Sequence, residues 1–557
     1  MPLTAFAPTA AFTPSTTPVA NSLPLSALLA LVPLAAFFTM LGAFKIPTHK
    51  CALASLVIAL VIATLGFGMP LNLSLLSATQ GAAFGLFPIV YIVIMAVWLY
   101  NLTERTGRSA DVRAVFAAVG KGDMRVQALL IGFCFCGLIE GLAGFGAPVA
   151  ISCSMLLALG LPPIKAALVT MVGNALNVCF GAMSIPVTTA ATLGGQPPET
   201  VGATQGRITP LFLFWIPVVL LAILDGRRGV RQVWPAALVA GVTMGAGHVI
   251  ASGFLSYQLT AVFASLLSFV AVALLMRVWQ PAAAQGQTSS DSGEGLSAGR
   301  VTLGLLPYWL VVVIFGVANL WTLGVDVPER LASTDVAINW PGLHGNLLTA
   351  DGEVAQSTIF DLRWLSSPGT MLLITGLIVT IAYSARSSGG LYPFSFGQGM
   401  RTLGKTVVDL RIAILTIATV MALAYVMNFS GQTVSIGTWL AATGAAFAFL
   451  SPVLGWIGTA VTGSATSAGA LFANLQSAAG TNAGLSTQLL LAANEIGGGI
   501  GKIVSPQNLA IAATAIKKPG SESELLRKSA PFSVALVCLL GVVIVLASAG
   551  VLGFVIA

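Results

Sequence analysis

An acidic side chain lies inside the first of three apolar segments that glycine interrupts. In residues 137–148, Glu140 is followed by Gly144, Gly146 and Pro148. A carboxylate inside a bilayer costs at least ~2.5 kcal/mol on insertion scales, so an ionisable residue there indicates a proton or ion pathway. The glycines would break a helix and leave backbone N–H groups that can hold an anion. The alternative is a close-packed helix crossing through small residues.

The second segment, residues 456–469, combines five hydroxyl side chains with three glycines. Hydroxyls such as those of Ser464, Thr466 and Ser467, with bare backbone amides, can bind a carboxylate and a neighbouring hydroxyl group. They do so without the desolvation cost of a buried cation. We interpret them as ligands of a small polar anion, with small-residue helix packing as the alternative.

The third segment carries four further candidates: Glu495, Lys502, Ser505 and Gln507. Glu495 and Lys502 are seven positions apart, hence on one face of a helix if the intervening glycines remain helical. Lys502 would attract an anion, and Glu495 would pair with it or titrate. The phosphate-loop pattern GxxxxGK[ST] is not met, because Ile503 follows Lys502 and no strand precedes the run, so nucleotide binding is excluded.

The other polar residues of the apolar runs are weaker candidates. Asn174 and Asn177 lie one turn apart, whereas His49, His248 and His344 are scattered without the spacing of metal ligands. The six cysteines form no CxxC pair and are interpreted as core residues. We therefore expect no metal site, no cofactor and no catalytic residue.

The amino-acid composition indicates whether water or lipid surrounds the elements that position these residues. Hydrophobic residues make up 56% of the chain, charged residues 8%, and the mean hydropathy is +0.93. Soluble domains carry about 25% charged residues, so this chain requires lipid around it. The net charge of +7 is explained by basic cytoplasmic loops of a membrane protein, and we expect no nucleic-acid partner.

Spanning helices need about 20 mostly apolar residues. The runs of this kind predict an all-α polytopic membrane protein with about 13–16 transmembrane segments. Each half contains one broken segment, which predicts two repeat-like halves with broken or re-entrant helices and a site near mid-membrane. The expected divisions are a flexible external tail over 1–23, a first transmembrane half over 24–280, a polar cytoplasmic linker over 281–302 and a second half over 303–557.

Charge between the runs predicts an orientation. Lys and Arg collect in alternate loops, which the positive-inside rule places in the cytoplasm. Acidic residues outnumber basic ones in the long connection 325–367, which we therefore expect on the external face together with the N-terminal tail.

Four sequence stretches together resemble the L-lactate permease family, which also includes glycolate permeases. They are EGLAGFGAPVAI from Glu140, FGAMSIPV from Phe180, FAFLSPVLGWIGTAVTGSATSAGALFANLQ from Phe447 and GKIVSPQNLAIAA from Gly501. The resemblance is collinear from about residue 28 to the C-terminus. It implies a carrier of the plasma membrane that takes up lactate, and often glycolate, together with a proton.

The chain departs from the family pattern at two positions. Ala465 stands where the family typically has aspartate in TGSDTS, and Glu495 stands where the family usually has a small polar residue. An acid lost in one embedded segment and gained in another preserves a titrating group or alters the substrate or the coupling.

We therefore expect a secondary active transporter for lactate, glycolate or related 2-hydroxy monocarboxylates, driven by proton symport, and not an enzyme. Glu140 or Glu495 would carry the proton. The expected substrate-binding residues are Gly144, Gly146, Ser464, Thr466, Ser467, Lys502, Ser505 and Gln507. The rival hypotheses are the same fold with another small organic anion or with Na⁺ as coupling ion, a passive channel, and an intramembrane enzyme. The last lacks the HExxH and GxSxG motifs.

Overall fold

The computed structural model describes residues 11–44, 46–119, 123–144, 146–281, 297–318, 327–349 and 352–557. Within these ranges the chain is almost entirely helical, and two short strands form one small sheet. Most of the expected linker 281–302 and parts of the N-terminal tail and of the acidic loop 325–367 lie outside the described residues.

The first half contains fourteen helices in its described residues. They are α1 (Leu23–Gly42), α2 (Thr48–Val61), α3 (Leu71–Phe84), α4 (Tyr91–Thr106), α5 (Ser109–Val119), α6 (Met124–Leu129), α7 (Cys136–Leu142), α8 (Ala147–Ala158), α9 (Pro163–Asn174), α10 (Gly181–Leu193), α11 (Pro198–Ile208), α12 (Pro210–Leu213), α13 (Ile216–Ile250) and α14 (Thr260–Val278). Proline lies in the first turn of α8, α9 and α11, where its missing N–H costs no intrahelical bond.

The second half, as far as it is described, contains eleven more. They are α15 (Ala298–Ala318), α16 (Val327–Ala332), α17 (Pro368–Ala385), α18 (Phe396–Asp409), α19 (Arg411–Phe429), α20 (Gln432–Ala441), α21 (Phe447–Thr462), α22 (Ala465–Ala483), α23 (Thr487–Gly501), α24 (Pro506–Ala515) and α25 (Glu522–Ser548). Between α16 and α17, the antiparallel strands β1 (Val336–Asn339) and β2 (Ile359–Leu362) pair in the acidic connection.

Eleven helical stretches in the described residues are long and apolar enough to cross a membrane, and a bent pair formed by α9 and α10 makes a twelfth. The stretch Pro198–Leu255 contains 58 residues and is divided at Asp225 and Gly226, which have non-helical backbone angles. Since a crossing needs about 20 residues, this stretch is long enough for two. Counted in this way, the described residues contain thirteen potential crossings, at the lower end of the expected 13–16, while α8, α20 and α23 are shorter than a full crossing.

Large apolar side chains cover the outside of the bundle. Leu65, Val278 and Trp215 are each more than half exposed, and many leucines, valines and isoleucines of the long helices share this exposure. A soluble monomer rarely exposes apolar surface on this scale. The exterior therefore fits contact with lipid, and the buried polar residues gather inside the bundle.

Glycines bring α21 and α23 into very close contact. A Cβ atom on Gly497 would lie 2.0 Å from the carbonyl oxygen of Pro452, and one on Gly455 would lie 1.9 Å from that of Asn494. Gly501 has the same relation to the carbonyl oxygen of Trp456. Small residues at such crossings let helix backbones approach inside a membrane. This crossing fixes where α23 ends and where the following turn begins.

A buried arginine ties the two halves together at the end of α4. Arg108 is fully buried and lies over the rings of Tyr383 and Tyr392, 4.8 Å and 5.0 Å from their centroids. Its guanidinium donates to the backbone carbonyl of Arg386 and to the hydroxyl of Ser388. Burial is the main influence on this group and lowers its pKa. Cation–π contacts and charge-assisted hydrogen bonds offset part of the cost of burying the charge.

The described part of the N-terminal tail packs on the acidic connection. The N–H of Phe12 donates to the carbonyl of Asn346, and the N–H of Leu348 donates back to Phe12. Ser435 of α20 donates its hydroxyl to the carbonyl of Thr16. Residues 11–22 therefore form part of the same surface as the small sheet.

Candidate functional site

The first broken segment is a helix hairpin. α7 ends at Leu142, Gly144 and Gly146 both adopt positive φ (+52° and +88°), and α8 begins at Ala147. Left-handed backbone is readily adopted by glycine, so these positions allow the reversal. A Cβ atom on Gly146 would lie 2.3 Å from the side chain of Ile511, which explains the need for glycine on packing grounds as well.

The second broken segment is also a helix hairpin. α21 ends at Thr462, and Gly463 turns the chain with φ +75°. Ser464 then caps α22, its hydroxyl accepting a hydrogen bond from the backbone N–H of Ser467 at 3.2 Å. The N-terminal turn of α22 points its remaining N–H groups, and the positive end of its dipole, toward the same space as the hydroxyls.

The third segment joins α23 to α24 through a short 3₁₀ turn. Lys502 opens this turn, and Ser505 caps α24 by accepting a hydrogen bond from the N–H of Asn508 at 3.3 Å. Gln507, in the first turn of α24, packs on the second hairpin. A Cβ atom on Gly463 would lie 2.3 Å from its Oε1 atom.

The three segments meet around one cavity of about 860 Å³. Seven of the ten residues expected at the site line it: Glu140, Gly144, Ser464, Thr466, Ser467, Lys502 and Gln507. Among the described residues that line the cavity, Gly146, Ser505 and Glu495 do not appear. Gly146 and Ser505 shape the turns next to it, as the hairpin and the cap of α24 show.

A buried ion pair forms part of the cavity wall. The Nζ atom of Lys502 lies 3.0 Å from Oε1 of Glu140, with 10% and 2% of the two side chains exposed. The Nδ2 atom of Asn174 donates to the other carboxylate oxygen at 2.5 Å. Both oxygens of Glu140 are thus occupied, which is what keeps a carboxylate stable at this depth.

Glycine makes the room that this ion pair needs. A Cβ atom on Gly181, at the start of α10, would lie 2.8 Å from Oε1 of Glu140. The next three residues, 182–184, all have positive φ between 43° and 58°. Three consecutive non-glycine residues in this region store strain, which is typical of functional sites. The stretch FGAMSIPV therefore contains a break that the sequence did not predict.

Glu495 lies apart from the cavity, between α22 and α23. It is 1% exposed, and its Oε1 atom accepts a hydrogen bond from Nδ2 of Asn494 at 3.2 Å. A Cβ atom on Gly469 would lie 2.4 Å from the same oxygen. Within the described residues its Oε2 atom has no hydrogen-bond partner. The structure thus pairs Lys502 with Glu140, and no ion pair involving Glu495 is found among the described residues.

The outer walls come from residues that the sequence did not single out for binding. Thr48 and His49 of α2, Ile412 and Thr416 of α19, and Glu522 of α25 all line the cavity. The helices that carry them begin within or shortly after the basic stretches 45–50, 386–405 and 517–528. Four of these five residues are polar, but they lie at or near helix starts and form no distinctive sequence pattern, so only the folded chain reveals them.

The sequence matches the L-lactate permease family over residues 26–551. The chain belongs to the L-lactate permease family. The L-lactate permease of Bacillus subtilis (strain 168) is 35% identical over 554 residues, covering 94% of this chain and 96% of that protein. The glycolate permease GlcA of Escherichia coli (strain K12) is 35% identical over 552 residues, with the same two coverages.

A solved structure gives a more distant likeness. MtrF of Neisseria gonorrhoeae, described with a class of antimetabolite efflux pumps, has a TM-score of 0.49 and 13% identity, covering 92% of this chain and 96% of that one. That likeness is too weak to bear on the substrate. Family membership identifies this permease as a multi-pass membrane transporter and not an enzyme.

Proposed function

We propose that this permease takes up lactate, and glycolate or related 2-hydroxy monocarboxylates, across the plasma membrane by proton symport. The observation that carries the proposal is the Lys502–Glu140 pair in the wall of a cavity that the hydroxyls of the second hairpin also line. A cation beside a titratable acid and several hydrogen-bond donors supplies what a hydroxy-carboxylate and a proton require. The names of the two relatives support this choice of substrates.

The pair suggests how proton and anion are coupled. In the structure the carboxylate of Glu140 neutralises Lys502 at 3.0 Å. A proton on Glu140 removes that negative charge and releases the ammonium group for the substrate carboxylate. The charge inside the cavity is then the same before and after loading, because one anion arrives with one proton.

The hydroxyls and amides of the second hairpin hold the rest of the substrate. Ser464, Thr466 and Ser467 face the cavity at the N-terminal turn of α22. A helix N-terminus favours an anion, and hydroxyls can both donate to a carboxylate and accept from a 2-hydroxyl group. Gly144 and Gln507 complete the floor from the other two segments.

Electroneutral loading has an energetic advantage. Moving one net charge across the membrane is worth ~2.3 kcal/mol for each 100 mV of potential. An inside-negative potential would oppose uptake of a lone anion by that amount. Cotransport of one proton with one monocarboxylate cancels this term and leaves the pH gradient as the driving force.

The orientation belongs to the same proposal. The cavity is bordered by the starts of α2, α19 and α25, which follow basic stretches of the chain. If those stretches are cytoplasmic, as the positive-inside rule predicts, this structure is an inward-facing state and the acidic connection 325–367 is external.

Uptake of radiolabelled L-lactate into proteoliposomes tests the proposal. With an inward pH gradient, no sodium and the potential clamped by potassium and valinomycin, we expect transient accumulation above equilibrium. Glycolate should compete and a protonophore should abolish the accumulation. Accumulation that follows a Na⁺ gradient would assign the other coupling ion, and uptake that never exceeds equilibrium would indicate a channel. No lactate uptake by folded protein would point to another anion, with Ala465 as the first position to test.

A further inference from the structure

A histidine that the transport site does not use is buried inside the bundle. His248 of α13 is 0% exposed. Its Nδ1 atom lies 2.8 Å from the hydroxyl of Thr209, and its Nε2 atom lies 3.3 Å from Oδ1 of Asn177. The ring of Phe180 meets it edge-on at 5.1 Å. None of these three neighbours carries a charge, so the imidazole is set among hydrogen-bonding groups and not in an ion pair.

Two asparagines connect this histidine to the ion pair. Asn174 and Asn177 lie one turn apart in the bend between α9 and α10, and the N–H of Asn177 donates to the carbonyl of Asn174. Asn174 holds Glu140 through its Nδ2 atom, and Asn177 holds His248 through its Oδ1 atom. Side-chain hydrogen bonds thus join Glu140 to Asn174 and join Asn177 to His248 and Thr209, and the two asparagines are linked to each other through their backbones.

The side-chain amide of each asparagine also has one polar atom whose hydrogen-bonding capacity is not used by the described residues. Within the described part of the chain, Oδ1 of Asn174 and Nδ2 of Asn177 are buried and have no hydrogen-bond partner. One is an acceptor and the other a donor, and buried polar atoms of this kind are the usual hosts of ordered water. The pair is therefore suited to hold water between Glu140 and His248.

A glycine leaves room beside this pair. A Cβ atom on Gly137 would lie 2.7 Å from Nδ2 of Asn177 and 2.6 Å from the hydroxyl of Ser265. Gly137 precedes Glu140 by about one turn of α7. Any larger side chain there would collide with the side chains of Asn177 and Ser265.

In this series of polar residues, the end at His248 lies away from the mouth of the cavity. Ser252 donates its hydroxyl to the carbonyl of His248, and the next two residues, Gly253 and Phe254, are exposed. They precede the turn into α14, whereas the basic residues Arg227, Arg228 and Arg231 follow the break of α13 at Gly226, about 20 residues or one crossing earlier. The basic stretches border the mouth, so this turn lies on the other face by the alternation of spans.

We propose that His248, Asn177 and Asn174 form the path by which the coupling proton travels between that face and Glu140. The imidazole takes up a proton at one ring nitrogen and releases one from the other to water held between the two asparagines, and that water passes a proton on to a carboxylate oxygen of Glu140. Only N–H and O–H bonds form and break, and the ring resets by exchanging tautomers. The proposal rests on the proton coupling proposed above. It lets Glu140 be protonated while the substrate cavity is closed to that face.

The substitutions H248Q and H248F test the path, with S268A as matched control. Gln keeps hydrogen-bonding capacity toward Thr209 and Asn177 but cannot carry a proton, whereas Phe keeps only the ring. Ser268 is a fully buried hydroxyl on α14 that donates to the carbonyl of Ala240, outside the path. Each variant is reconstituted with the pH dye pyranine inside, and two rates are measured. One is lactate counterflow at equal pH, which needs no net proton transfer, and the other is lactate-driven proton influx.

For H248Q we expect proton influx to fall about tenfold or more while counterflow stays within about twofold of wild type, since the loss of a proton-transfer group slows only steps that move a proton. S268A should resemble wild type in both. If H248Q restores the proton influx that H248F loses, the histidine only positions its neighbours and the proposal is overturned. Equal loss of counterflow and influx in H248Q overturns it as well. Wild-type protein that transports lactate without proton influx would instead defeat the proposed symport itself.

Discussion

Lys502 is paired in the cavity wall with the carboxylate of Glu140, and the proposed mechanism requires this ion pair to break when the substrate binds. Removing one partner of a buried pair costs about 3–5 kcal/mol, because the other charge is left unpaired. We expect K502Q to raise the KM for lactate about 100-fold or more, since both the anion's counter-charge and the partner of Glu140 are lost. K502R should retain part of the affinity. K165Q, at an exposed lysine that donates to a backbone carbonyl, is the control and should leave KM unchanged.

Glu495 gives the complementary residue-scale test. It lies outside the group of described residues that line the cavity, so its charge is not needed there for loading. We expect E495Q to accumulate lactate in a pH gradient to within about twofold of wild type, because Gln keeps the shape and the contact with Asn494. Uptake assays at several external pH values check this. Loss of accumulation with intact counterflow in E495Q would move the coupling proton to Glu495.

The sequence identified Glu140 and Lys502 but not their partnership. The two residues are 362 positions apart, and no periodic pattern reports a contact across that distance. The seven-residue spacing from Glu495 to Lys502 pointed to the wrong neighbour in space. Two helical turns separate them by about 10 Å along α23, which is beyond hydrogen-bond reach. Lys502 instead extends from the end of that helix to α7.

At the scale of elements, the turn between α21 and α22 depends on a single glycine. Gly463 and Gly484 both end helices with positive φ, +75° and +68°. Alanine costs roughly 1–2 kcal/mol of backbone strain at either position. At Gly463 alone the new Cβ would also displace Gln507, whereas nothing lies within 4 Å of the Cβ position at Gly484. We expect G463A to abolish most lactate uptake and G484A to retain it, measured in proteoliposomes at equal protein content.

The crossing of α21 and α23 makes a stability prediction. Alanine at Gly497 would place Cβ 2.0 Å from the carbonyl oxygen of Pro452, so the two helices must separate. Overpacking of this kind costs about 1–3 kcal/mol. We expect G497A to unfold at a lower temperature in detergent, followed by a thermal-shift assay. G404A is the control: it adds a Cβ in open space on α18 and should unfold like wild type.

Which elements could be predicted depended on the residue types that mark them. Glycine and proline within apolar runs correctly predicted both broken segments, whereas the helix cap at Ser464 was not predicted, because its hydroxyl was interpreted as a substrate ligand. The break in α10 escaped prediction because alanine, methionine and serine hold the left-handed angles there. Those residues favour helix or strand by themselves, so only tertiary packing imposes the conformation.

At the scale of the whole molecule, the composition predicted a helical membrane protein and the broken segments predicted a site between its halves, while the helices that form the outer walls of the cavity did not follow from the sequence. The proposed orientation can be tested in a C538A background, since Cys538 is the one exposed cysteine of the described residues. Ser523 lines the cavity and Ser333 lies exposed in the acidic connection. We expect an impermeant maleimide to label S523C in inside-out vesicles and S333C in right-side-out vesicles. The reverse pattern would contradict the inward-facing assignment.

The central claim is that Glu140 couples the proton to the substrate through Lys502, and E140Q tests it most directly. Gln keeps the size of the side chain but leaves Lys502 permanently released, as protonation would. The measurement compares lactate counterflow with accumulation driven by a pH gradient in the same proteoliposomes. The account predicts that E140Q keeps counterflow and loses both accumulation and its pH dependence. Accumulation in E140Q with the pH dependence of wild type would contradict it.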